Sequence, residues 1–150
     1  MPDHDLLLFH ASTTLVLAGT MWALQLGLVP LLRQATAEHW PRHAAAYRTT
    51  LVLLFWPLVT LEAGTGILLA MGRPLGIPAG LHAANLALMG MGWSVTLVIR
   101  LALGHALLSR FDPEGVARFA RINWVRVAIW TLRSVVVVLM LHLAHRAASG

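Results

Sequence analysis

Glu62 and Arg133 are an acid and a base set deep inside apolar runs, and that placement restricts what they can do. With each run centred on a bilayer and a rise of about 1.5 Å per residue, both fall near the midplane. A lone central charge costs roughly 2.5–3.5 kcal/mol on insertion scales, so an ion pair between them is the expected arrangement. Such a pair either ties two helices in register or holds a carboxylate that titrates along a pathway. Gln25, Arg100 and Arg126 share a second level, about 10 Å from the centre. Two arginines with no acid at that level suit an anionic headgroup, a carboxylate or a phosphate. Arg100 has the alternative of snorkelling to the interface along its aliphatic stem. His10 and His82 lie near the opposite end, on the first and third runs. Two imidazoles facing each other across a bundle can hold b-type haem; the plainer reading is a pair of interfacial polar residues.

These side chains fall into stripes that only helices can make. Asn123, Arg126, Trp130 and Arg133 lie on one face at about 100° per residue. His82, Asn85, Met89, Trp93, Thr96 and Arg100 recur at three- and four-residue steps, as do His10, Thr14, Met21 and Gln25. Each stripe is expected to face a polar interior, with the Leu and Val faces toward lipid. His142 lies roughly opposite the Arg133 stripe. Trp40 is read as interfacial; Trp22, Trp56, Trp93 and Trp130 sit deeper and either fill the bundle or wall a flat ligand.

The elements that must position them are four apolar runs, about 6–32, 49–71, 81–103 and 122–144, each long enough to span a bilayer at about 20 residues. Glycine and proline inside them (Gly19, Gly27, Pro57, Gly64, Gly66, Gly90, Gly92) are tolerated in membrane helices and allow close approach. Arg33 to Arg48 reads as a polar turn, and Gly72 to Gly80, which includes Arg73, as a Pro/Gly loop. Asp112-Pro113-Glu114 is a helix start: an N-cap acid, proline at the first helical position, then an acid near the positive dipole end. The expected fold is an all-α, up-down-up-down bundle of four transmembrane helices, with residues 1–150 forming a single integral membrane domain. Arg33, Arg42 and Arg48 in the first loop, and Arg110, Arg118 and Arg121 in the third, outnumber Arg73 and Arg146 on the other side. The positive-inside rule then places both termini on the non-cytoplasmic side of a bacterial inner membrane.

Composition agrees. Of 150 residues, 58% are hydrophobic and 11% charged, with a mean hydropathy of +0.73; ordinary soluble domains are about 25% charged. The absence of cysteine removes disulfides and thiolate metal sites. Every basic residue is arginine, which excludes a Schiff-base lysine. The net charge of +5 is concentrated in loops, so it reads as topology and not as nucleic-acid binding. Asp3 and Asp5, with no basic residue beside them, argue that the first run is retained as a span and not cleaved as a signal. No Walker loop, HExxH or GxGxxG occurs, Ser12 has no acid–base partner at its depth, and whether the chain is an enzyme is left open.

Trp22 to Pro30 with Arg33, Trp40-Pro41, Pro57 with Glu62, Gly104-His105, Phe111-Asp112 and Asn123-Trp124-x-Arg126-x-x-x-Trp130-Thr131-x-Arg133 together resemble a group of small four-helix bacterial membrane proteins of no established activity. That resemblance covers most of the chain and implies a four-span membrane protein without assigning it a biochemical role. The Trp22…Pro30 spacing is faintly similar to the haem-dependent protoporphyrinogen oxidase family, with Leu15 where that family places a histidine. The leading functional class is a membrane protein whose polar core binds a cofactor or small ligand, haem-like, anionic or lipid, in a redox or other role. The alternatives are a proton-coupled transporter or channel protomer in which Glu62 titrates, and a non-catalytic accessory subunit. The expected partners are the lipid bilayer, an anionic small molecule or lipid, and either copies of the same chain or a larger membrane complex.

Overall fold

The computed structural model describes residues 2–72, 76–104 and 109–149. Arg73, Pro74, Leu75 and His105, and the terminal Met1 and Gly150, lie outside the described residues. Within them the chain is helical apart from short links, and four helices are long and apolar enough to cross a membrane: α1 (His4–Gln34), α2 (Trp40–Gly72), α3 (Ala79–Leu101) and α4 (Pro113–Ser149). The surface is the reverse of a soluble protein's. Leu53, Met71 and Leu101 are more than 70% exposed, while Glu62, Arg133, Asn123 and His10 are fully buried. Such a continuous apolar exterior is a lipid-facing surface, and the molecule is a multi-pass membrane protein.

Helix α4 starts where Asp112-Pro113-Glu114 requires. The Asp112 carboxylate accepts from the Glu114 N–H at 3.1 Å, and the Asp112 carbonyl from Val116 N–H at 2.9 Å. The link after α1 is shorter than the polar turn expected over Arg33 to Arg48. Helix resumes at Trp40, with Pro41 in its first turn. Trp40, Ala44 and Tyr47, at i, i+4 and i+7, bury one face, and Arg42 and Arg48 are exposed.

Apolar and polar groups alternate along the bundle. One apolar cluster joins Leu7, Leu69, Met140 and Ala144. A second joins Leu17, Met21, Leu24, Phe55, Val59, Val127 and Trp130. A third joins Val29, Leu32, Trp40, Tyr47, Ile99, Val116 and Phe119. Polar side chains fall between these in sequence: His10, Thr14, Glu62, Asn85 and Arg133 between the first two, Gln25, Asn123 and Arg126 between the second and third. Helix α4 packs closely on α1 and on α3, and α1 on α2, whereas α2 meets α3 along a much thinner contact.

Three helices carry a widened π turn: Leu24–Leu28 in α1, Leu51–Phe55 in α2 and Ile99–Gly104, which carries α3 onward. Such turns insert one residue into the helical register and occur often at functional sites.

Candidate functional site: a core network and an arginine chamber

Gly66 makes the core network possible. A Cβ there would stand 2.9 Å from Met89 Sδ and 3.2 Å from His10 Cε1, so α2 must be bare at this point for the His10 ring to enter. Around it the hydrogen bonds assign themselves. Thr65 gives its hydroxyl proton to the Leu61 or Glu62 carbonyl, both at 3.0 Å. His10 Nδ1, 2.8 Å from Thr65 Oγ1, is therefore the protonated nitrogen and donates. His10 Nε2 is left as the acceptor, with Asn85 Nδ2 at 3.3 Å and Arg133 Nη2 at 3.4 Å. The Asn85 carbonyl oxygen accepts from Arg133 Nε at 3.0 Å, and Arg133 Nη2 pairs with Glu62 Oε1. The structure thus brings together Glu62 and Arg133, as the residue count expects, and adds His10, Asn85, Thr14 and Thr65 to them.

This geometry revises the histidine pair. Counting residues put His10 near the outer end, level with His82; the packing register puts its ring beside Glu62, with Nε2 3.9 Å from Oε1. Both ring nitrogens are engaged by protein groups, so Nε2 would have to give up Asn85 and Arg133 to meet an iron, and nothing here supports b-type haem. His82 is half-buried and His142 is exposed. Among the described residues no group of three His, Cys, Asp or Glu side chains could hold a metal ion.

The second polar group contains the other expected residues. Asn123 donates to Gln25 Oε1 at 2.6 Å, and Gln25 Nε2 reaches the Ala120 carbonyl at 3.5 Å. Arg126 is 2% exposed. Its Nε and Nη2 make no hydrogen bond, and its guanidinium lies 5.2 Å from the Phe55 ring centre. It faces a chamber of about 470 Å³ walled by Tyr47, Leu51, Phe55, Thr96 and Ile99, with exposed Arg48, Val52, Arg100 and Ser109 at the rim. Among the described residues, no aspartate or glutamate lines it. Arg100 stacks 4.9 Å over the Trp56 ring, which joins α3 to α2 at the rim. On the other side of α4, Gln25, Arg33, Arg121 and Trp124 line a second groove.

Arg48, Tyr47, Phe55 and Thr96 were not singled out in the sequence as ligand-facing. The signal that finds the first two is the Trp40–Ala44–Tyr47 spacing, which extends α2 into the expected turn. Of the deep tryptophans, Trp130 fills the core, with Arg133 5.2 Å from its ring centre. Trp22 is 39% exposed and donates to Thr131 Oγ1 at 3.0 Å on the bundle exterior. Trp40 is 3% exposed and packs on Phe111 at 5.4 Å.

The fold and site thus define a helical, multi-pass membrane protein with a charge-paired core and a buried arginine beside a cavity, facing no acid among the described residues. No family model, curated protein or solved structure matches this chain, so its chemistry is read from these residues.

Proposed function

We propose that this protein is a four-span protein of the bacterial inner membrane that binds an anionic small molecule or headgroup at Arg126. The observation that carries the reading is Arg126 itself. A buried guanidinium without a counter-charge is costly, and proteins keep such groups where a ligand supplies the missing charge. The chain has six acids; Glu62 is committed to Arg133, and Asp3, Asp5, Glu38, Asp112 and Glu114 sit near helix ends. The arginine-rich loops support an up-down-up-down arrangement with the chamber in the cytoplasmic half of the membrane and both termini on the opposite side.

The unpartnered donors also specify the ligand's shape. Nε and Nη2 lie along one edge of the guanidinium, the edge that meets two oxygens side by side. A carboxylate or a phosphate presents that pair; a halide does not. Purified protein in non-ionic detergent should therefore be stabilised against heat by phosphate- or carboxylate-bearing compounds and not by chloride at equal ionic strength. Arg126→Gln should abolish the difference. Equal responses of the two proteins to every anion would reject the reading.

A further inference from the structure

Resting on the anion-binding reading, we propose that the chamber's occupant is an anionic amphiphile, which reaches Arg126 sideways from the bilayer between α2 and α3 with its tail left in that seam. Among the described residues, aromatic packing narrows the path from the loop side. Trp40, Tyr47, Val116 and Phe119 are each at most 5% exposed, and they narrow the loop-side end of the bundle next to the chamber. Trp40 packs on Phe111 at 5.4 Å and Tyr47 on Phe119 at 5.7 Å, so this packing spans α2, α4 and the segment before α4. A second opening faces the bilayer. The exposed lining residues are Arg48 and Val52 on α2, Arg100 on α3 and Ser109 just before α4, with Val52 55% exposed on the lipid-facing surface. Those two helices are the thinly packed pair, and each has a π turn at the seam, Leu51–Phe55 facing Ile99–Gly104.

The lining is graded accordingly. Arg126 stands innermost, Leu51, Phe55 and Ile99 form an apolar passage, and Arg48 and Arg100 flank the mouth. A free anion would have to cross hydrocarbon to use such an opening, whereas a lipid-soluble molecule is already beside it. The inner guanidinium takes the headgroup oxygens, the two outer arginines lower the cost of drawing a negative group into the seam, and the acyl chain lies over Val52 and Leu51. The shared chemistry is a phosphate or carboxylate; its source, an amphiphile or a soluble anion, is what the experiment separates.

Full-length protein is stripped of lipid in non-ionic detergent and titrated with dioleoyl phosphatidylglycerol, its dihexanoyl analogue, dioleoyl phosphatidylcholine and inorganic phosphate. Thermal unfolding is followed alongside native mass spectrometry. The expected result is a rise in Tm of roughly 5 °C with the long-chain anionic lipid near saturation. The dihexanoyl analogue and inorganic phosphate should each act through Arg126 but be at least tenfold weaker, and phosphatidylcholine, which carries no net charge, should be inert. Arg126→Gln should lose the rise, and Val52→Trp, which fills the mouth without touching Arg126, should weaken it at least tenfold. If lipid is too tightly held to strip, wild type should retain an anionic lipid adduct that Arg126→Gln lacks. Equal stabilisation by inorganic phosphate and by lipid would overturn the amphiphile proposal and leave anion binding at Arg126 standing. No Arg126-dependent response to any probe, and no retained adduct, would overturn both.

Discussion

Arg133 and Arg126 are two turns apart on one face of α4, both buried, and they should respond to mutation in opposite ways. Arg133 has Glu62, Asn85 and His10 around it. Glu62→Gln or Arg133→Gln leaves the partner as an uncompensated buried charge, which costs about 3–5 kcal/mol. The double substitution should recover part of that loss, as a double-mutant cycle of unfolding in detergent would record; additive losses would mean the two act separately. Among the described residues Arg126 has no counter-charge to abandon. Arg126→Met should leave the ligand-free protein as stable as wild type or about 1 kcal/mol more so, by removing an unpaired charge and keeping the bulk over Phe55. A loss of 2 kcal/mol or more in lipid-stripped protein would show that Arg126 is held by the fold itself. Both arginines were legible in the sequence, because charges in apolar runs have few explanations. Their difference was not, because it depends on which acids come within reach.

At the scale of the helix, periodicity placed most of what faces inward. His10, Thr14, Met21, Gln25, Asn85, Thr96, Asn123, Arg126, Trp130 and Arg133 are all buried. Levels were harder to read than faces. Residue counting treats helices as upright, centred rods, and it put His10 away from Glu62; the register between α1 and α2 is set instead by contacts such as the one Gly66 allows. Gly66→Ala should force Met89 and His10 aside and cost about 1–3 kcal/mol, while Gly64→Ala, which meets nothing within 4 Å, should be close to neutral. Comparing the two Tm values tests whether Gly66 sets that register. The π turns have no sequence signature that period-counting detects, so the seam between α2 and α3, and with it the chamber, was visible only in three dimensions.

At the scale of the molecule, the four-helix membrane character was fully legible, since composition and four long apolar runs leave no other class. The sidedness rests on arginine placement alone. A reporter fused after Ser149 should be active as a periplasmic fusion, and one inserted at Glu38 in the first link as a cytoplasmic one; the reverse pattern would move the chamber to the outer leaflet. Charge also sets how the whole bundle responds to salt. Because the core pair is sealed from solvent, thermal stability in detergent should change little between low and high ionic strength, while binding at the arginine-flanked mouth should weaken as salt rises.

The distance along the chain between Glu62 and Arg133 has a consequence for biogenesis. Synthesis delivers α2 with its acid well before α4 with its base, so for the time needed to make α3 the nascent protein holds an unneutralised carboxyl group in the bilayer or at the translocon. Helix α4, with Arg126 and Arg133 inside its apolar stretch, is in turn a poor candidate for independent insertion. Lateral release of the last helix is then coupled to capture by the earlier ones. A chain truncated after α3 would display an orphan acid, the kind of mark by which membrane quality control recognises an unfinished subunit.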